Sequence, residues 1–144
     1  MSRRRGARVP GSGIDRLFER GDGSSMSATV LLVDDQDFVR DVMRLTLENA
    51  GYTVFAAGSP THAIELAATD TDIDLLVTDV VMPEMDAFEL AGRITARRPG
   101  LRVLYTSGYT DATAEGPFIQ KPFTPAQLVA KVEAVLTTEV RGTR

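Results

Sequence analysis

The chain has 144 residues, 43% of them hydrophobic and 25% charged, a composition that fits one globular domain with a single core. With no cysteine and one histidine, His62, it excludes disulfides, thiolate metal sites, cysteine nucleophiles and multi-histidine metal clusters. The net charge of −4 is uneven: residues 1–28 carry six arginines against Asp15, Glu19 and Asp22, a net of +3, so the remainder stands at −7 and is a poor partner for nucleic acid.

No apolar stretch reaches the roughly 18 residues of a membrane span, and no apolar segment follows the N-terminal arginines as in a signal peptide. No membrane association and a cytoplasmic location are therefore expected. Residues 1–28 are rich in Gly, Ser and Arg without periodicity and read as a flexible basic tail. Gly11-Ser12-Gly13 follows no strand and carries no weight as a phosphate loop. Ile14, Leu17 and Phe18 make one amphipathic turn at most, and Met26 offers an alternative start just before the first strand.

From Thr29 onward short apolar runs alternate with helical stretches, the pattern of repeated strand–helix units on a parallel sheet. The first strand is Thr29-Val30-Leu31-Leu32-Val33. A helix follows from Asp37 to about Ala50, with Val39, Val42, Met43, Leu47 and Ala50 on one face and Gly51 where helices commonly stop. After a strand from Tyr52 to Ala57, Ser59 caps a second helix with Pro60 in its first turn and Ala63, Ile64 and Ala67 inward. The third strand is Leu75-Leu76-Val77-Thr78-Asp79. The next helix runs from about Ala87 to Arg98, with Phe88, Ala91 and Ile94 inward and Pro99-Gly100 ending it. Arg102-Val103-Leu104-Tyr105-Thr106-Ser107 and Pro117-Phe118-Ile119-Gln120-Lys121 are the fourth and fifth strands. Thr124-Pro125-Ala126-Gln127 is a capping box that opens a last helix burying Leu128, Val132, Val135 and Leu136.

Open parallel sheets place their chemistry at the carboxyl ends of strands. Here the first strand ends in Asp34-Asp35, the third in Asp79, the fourth in Ser107 and the fifth in Lys121. Three carboxylates, a hydroxyl and an ammonium would converge. Clustered aspartates without histidine or cysteine favour a hard divalent ion, Mg²⁺ before transition metals. On spacing alone Asp34-Asp35 is equally a turn or a helix cap, Lys121 a surface lysine, and Phe118 a core aromatic.

Val33-Asp34-Asp35, Thr78-Asp79-Val80-Val81-Met82-Pro83, Thr106-Ser107-Gly108 and Lys121-Pro122-Phe123 resemble the motif set of the receiver domains of two-component response regulators, over about residues 28 to 138. The resemblance implies a flavodoxin-like α/β fold, a doubly wound five-stranded parallel sheet of order 2-1-3-4-5. It also implies a domain over residues 29–138, with a short tail at 139–144, a stand-alone receiver without an output domain. Asp79 becomes the expected phosphoacceptor from a histidine kinase or histidine phosphotransfer protein. Asp34, Asp35, Asp79 and the Val81 backbone carbonyl become the Mg²⁺ ligands, Lys121 the fixed cation, and Ser107 with Phe118 the switch. A cis Lys121-Pro122 bond is also implied.

Three departures stand out. Ser107 to Lys121 spans only 14 positions, too few for a full fourth crossover helix, which is expected to be short or missing. Ala87 stands where glycine is common, which puts backbone strain at that position if a positive φ is required there. Val81 offers no polar side chain to orient a water and Tyr109 is expected to cover part of the phosphoryl group, so slow self-dephosphorylation is expected. A Mg²⁺-dependent aspartyl-phosphate phosphatase is the alternative, disfavoured because its second Asp would occupy position 81. A constitutive interaction module is a further one, disfavoured by the complete residue set. His62, on a surface helix, reads as a solvated residue.

Overall fold

Strands and helices alternate along residues 28–69, 71–108 and 116–137, the residues described by the structure, a computed structural model. The order is β1 (Thr29–Val33), α1 (Asp37–Asn49), β2 (Thr53–Ala57), α2 (Pro60–Ala67), β3 (Leu75–Asp79), α3 (Ala87–Arg97), β4 (Arg102–Ser107), β5 (Phe118–Gln120) and α4 (Pro125–Thr137). All five strands are parallel and lie in the order β2-β1-β3-β4-β5, the doubly wound arrangement expected. Sheet order reverses between β1 and β3, which places a crevice at their carboxyl ends.

Period-two alternation divides the strand side chains between two cores. Leu31, Val33, Leu76 and Tyr105 pack with Ala63, Ala67, Leu90, Ala91 and Ile94 on the α2–α3 face. Val30, Leu32, Leu75, Val77 and Leu104 pack with Met43, Leu47, Leu128, Val132 and Val135 on the α1–α4 face. Every residue of β3 is buried, because β1 and β4 flank its edges and helices cover both faces. Each fully buried leucine contributes about 1.5–3 kcal/mol relative to exposure.

The expected caps form. Ser59 Oγ accepts from the His62 N–H at 3.1 Å, and Thr124 and Gln127 exchange side-chain-to-backbone bonds of 3.0 and 2.8 Å. Gly51, at φ 105°, ends α1 in a conformation glycine alone adopts readily. Arg98 closes the other end of α2, donating to the carbonyls of Ala67 and Thr69 at 2.9–3.0 Å.

Several details differ from the sequence reading. Val42 is 41% exposed: the buried stripe of α1 is carried by Met43 and Leu47, and the wider apolar face continues into solvent. In α3 the buried residues are Ala87, Leu90, Ala91 and Ile94, with Phe88 only half-buried at the edge against Tyr105, ring centroids 4.8 Å apart. Ala87 has no positive φ; it begins α3 and is capped by Asp86, whose carboxylate accepts from the Glu89 N–H at 2.8 Å. The left-handed residue of that loop is Glu84, at φ 79°. The expected short or missing fourth helix falls between β4 and β5, for the most part on residues 109–115. Residues 109–115, with Tyr109, lie outside the described residues, as do the two tails.

Candidate functional site

Strand phase decides which side chains meet. Asp34, Asp79 and Lys121 follow in step with Leu32, Val77 and Ile119, whose side chains belong to the α1–α4 core. They therefore emerge together on that face, at the carboxyl ends of β1, β3 and β5. Asp34, Asp35 and Asp79 each offer a carboxylate oxygen within 4.8 Å of the others. Lys121 Nζ lies 3.0 Å from Asp34 Oδ2 and 3.7 Å from Asp79 Oδ1. The Lys121–Pro122 bond is cis.

The three acids are not equivalent. Asp34 is buried at 1% exposure, and its Oδ1 accepts from the Gln36 N–H at 2.9 Å while Oδ2 receives Lys121. Helix α1 has no side-chain cap, so of the two bland readings of Asp34-Asp35 the turn holds, made by Asp34 through the Gln36 N–H. Asp35 faces solvent. Asp79 is buried at the crevice floor, and burial pushes its pKa up. Lys121 opposes that shift, the Asp34 charge adds to it, the Val81 N–H bonded to the carboxylate opposes it, and Asp35 adds to it. A hard, oxygen-only donor set with surplus negative charge fits a divalent ion of the Mg²⁺ type.

Ser107 is buried at the end of β4, in phase with Tyr105 and two pairing steps beyond the Tyr105–Phe118 pair. Phe118 is half-buried and packs on the α2–α3 core. The hydroxyl and the aromatic thus share the sheet face opposite the acids, joined to them through the strand ends: Val80 N donates to Thr106 O at 2.8 Å, and Lys121 N to Ser107 O at 2.7 Å. Val81 projects an apolar, 56% exposed side chain beside the crevice. His62 is exposed on α2 and is not among the clustered acids.

Three residues escaped the sequence reading. Arg40 donates to the Asp34 carbonyl and to Asp37 Oδ1, both at 2.8 Å, and so fixes the β1–α1 turn. Its guanidinium lies where a Cβ on Gly58 would come within 3.0 Å, so the glycine makes room for it. The three-residue spacing of Asp37 and Arg40 was the available signal. Glu84 bonds to α2, for which a lone acid in a loop gave none. Thr106, paired in register with Asp79, buries an Oγ1 that has no hydrogen-bond partner among the described residues. Removing an unpaired buried hydroxyl while keeping the volume should help, so Thr106→Val is expected to stabilise the fold by about 1 kcal/mol. Thermal unfolding should then move up by a few degrees, and a lower midpoint would contradict this reading of Thr106.

Comparison with known proteins agrees with this geometry. The family model "Response regulator receiver domain" matches residues 30–133. The response regulator receiver protein CpdR of Brucella abortus is 34% identical over 115 residues, covering 74% of this chain and 95% of CpdR. The sensor kinase CckA of the same organism is 35% identical over 137 residues, 89% of this chain but only 14% of the kinase. Among solved structures, the receiver domain of the hybrid histidine kinase CckA superposes with a TM-score of 0.69 at 31% identity, over 76% of this chain and all of that one. The Vibrio cholerae chemotaxis protein CheY4 superposes at 0.71 and 27% identity, over 76% and 98%. With a matched family model over most of its length, the expected sheet order and acids gathered at the carboxyl ends of β1 and β3, the chain belongs to the response regulator receiver domain family of two-component signalling.

Proposed function

We propose that this receiver domain is switched by phosphorylation of Asp79, with a phosphohistidine of a histidine kinase or histidine phosphotransfer protein as the donor. The observation that carries the reading is the meeting of Asp34, Asp35 and Asp79 within 4.8 Å with Lys121 Nζ against two of them. An Asp79 carboxylate oxygen attacks phosphorus as the phosphorus–nitrogen bond of the donor breaks. The electron pair leaves on the imidazole nitrogen, and the product is an aspartyl phosphate. Asp34, Asp35, Asp79 and the Val81 carbonyl would hold Mg²⁺, which when bound neutralises the acids and the incoming phosphoryl oxygens.

Each residue has a task that its position supports. Asp34 is fixed by Gln36, Lys121 and, through its carbonyl, Arg40. Lys121 sets its ammonium 3.7 Å from an Asp79 oxygen, a preorganised stabilisation of charge gathering in the transition state. Ser107, at the carboxyl end of β4, would donate its hydroxyl to a phosphoryl oxygen, and Phe118, half-buried on the neighbouring strand, would follow its movement. The apolar, exposed Val81 orients no water, in keeping with slow loss of the phosphoryl group and with a switch more than a phosphatase.

The donor would sit on the apolar surface beside Lys121. Phe38 is 79% exposed beside Val39, Val42, Met43, Pro122 and Phe123, around a groove of about 250 Å³ that Lys121 also lines. An apolar platform next to the nucleophile suits a docking helix that carries the phosphohistidine. Among the described residues no helix is long and apolar enough to cross a membrane, which accords with a cytoplasmic setting. The test is intact-mass analysis after incubation with acetyl phosphate, with Mg²⁺ or with EDTA. One phosphoryl group should be added with Mg²⁺ only. Steady hydrolysis of a phosphomonoester without a retained adduct would favour the phosphatase instead.

A further inference from the structure

The loop between β3 and α3, residues 80–86, supplies Val81, whose N–H bonds to the Asp79 carboxylate. Its middle is an unusual turn. Met85 N donates to Pro83 O at 3.0 Å around Glu84, whose φ of 79° makes a γ-turn of the rare, strained hand. Among the described residues Glu84 is the only non-glycine at positive φ. A glycine would occupy that conformation without strain, but it would lack a side chain. The Glu84 side chain is engaged: Oε1 accepts from Thr61 Oγ1 at 2.7 Å and from Thr61 N at 3.3 Å.

Thr61 lies in the first turn of α2, where backbone N–H groups have no partner within the helix. Pro60 has none to offer, Ser59 Oγ takes that of His62, and Glu84 takes that of Thr61. A carboxylate is favoured there by the helix dipole as well. Val80, Met82 and Met85 pack on the α2–α3 core, so the loop has apolar anchors on either side of Glu84 and one polar tether at its apex. Strained conformations persist where the surroundings hold them, and they cluster at functional sites.

We propose that Glu84 is a positioning residue for the ion site: by tying the apex of the β3–α3 loop to the first turn of α2, it holds Val81 against Asp79. The N–H then stays on the carboxylate, and the loop that carries the Val81 carbonyl, a proposed ion ligand, is kept in place. This rests on the reading of Asp34, Asp35, Asp79 and Val81 as Mg²⁺ ligands. Groups that orient metal ligands from behind typically change affinity by about 10- to 100-fold when removed.

The test is a Mg²⁺ titration followed by the backbone amide shifts of Asp79 and Val81, with thermal unfolding measured in parallel, on wild type, Glu84→Gln, Glu84→Ala and Glu84→Gly. Glutamine keeps the acceptor oxygen and is expected to bind Mg²⁺ within about twofold of wild type, while alanine should weaken binding by about 10-fold. Glycine removes the tether and the strain together, so it should fold well and still bind weakly, which covers an alanine variant that fails to fold. Full Mg²⁺ affinity in the glycine or alanine variant, with only the unfolding temperature changed, would make Glu84 a helix-capping residue and overturn the proposal. Wild type that shows no Mg²⁺-dependent shifts at Asp79 would overturn the ion reading itself, and this inference with it.

Discussion

Asp79→Asn is expected to yield a protein that takes no phosphoryl group and yet is more stable than wild type at neutral pH in the absence of divalent ions. The first half follows from chemistry: an amide oxygen is no nucleophile towards phosphorus under these conditions. The second half follows from the buried charge. Burial and the neighbouring Asp34 and Asp35 raise the folded-state pKa of Asp79 above its ordinary value of 3.8, outweighing Lys121 and the Val81 N–H. An acid raised on folding contributes stability that is fully present below its unfolded pKa and lost as pH rises through its folded pKa. At pH 7 the charged carboxylate therefore costs stability, and asparagine, close in shape and uncharged, avoids that cost while still accepting from Val81. The gain should shrink as pH falls towards the ordinary aspartate range, and Mg²⁺ should raise the melting temperature of wild type more than that of the variant. Unfolding curves over pH 4–8 with EDTA or Mg²⁺ check each part; a variant less stable than wild type at pH 7 in EDTA would contradict it.

Lys121→Met is expected to damage both stability and phosphoryl transfer. Lys121 Nζ is 3.0 Å from Asp34, a carboxylate 1% exposed, and 3.7 Å from Asp79. Removing one partner of a buried pair leaves the other charge uncompensated, a loss of about 3–5 kcal/mol when both are fully enclosed. The Lys121 side chain retains 21% exposure, so the lower end, about 3 kcal/mol, is expected here. The methionine stem can still pack in the groove by Phe38 and Phe123, which separates loss of charge from loss of volume. Mg²⁺ should restore part of the stability by supplying positive charge to the same acids. The rate of modification by acetyl phosphate should fall by about 10-fold or more, because the fixed cation beside the acceptor oxygen is gone. Urea unfolding with EDTA and with Mg²⁺, alongside the rate, tests this. Wild-type stability in EDTA would show that Lys121 neutralises nothing of consequence.

The sheet and most caps were legible because each is written locally. Leu75 to Asp79 is continuously apolar up to its last two residues because the strand is buried on both faces, and Ser59-Pro60 and Thr124-Pro125 are caps that neighbouring residues complete. The acids were legible because each ends a strand, and strand ends in such a sheet converge. Other features depend on contacts that sequence distance hides. Val42 completes an apolar stripe on paper, but the stripe is wider than the core it faces. Expected strain at Ala87 came from a family habit, whereas the chain places its left-handed residue at Glu84, held by Thr61 23 positions away. Thr106 entered the sequence reading only as part of the Thr106-Ser107-Gly108 motif, and only the packing shows its hydroxyl without a partner among the described residues. Ser107 and Phe118 were found by motif, and the sheet register sets them on neighbouring strands, Phe118 opposite Tyr105 and Ser107 opposite Gln120.

The central claim, that Asp79 is the residue modified, is most directly tested by trapping. Protein treated with acetyl phosphate and Mg²⁺ is reduced with borohydride, which converts an aspartyl phosphate to homoserine, and the products are mapped by peptide mass spectrometry. Homoserine at position 79, dependent on Mg²⁺ and absent from Asp79→Asn, is the predicted result. A stable phosphoryl group on Ser107 or His62, or homoserine at Asp34 or Asp35 with Asp79 untouched, would contradict the account.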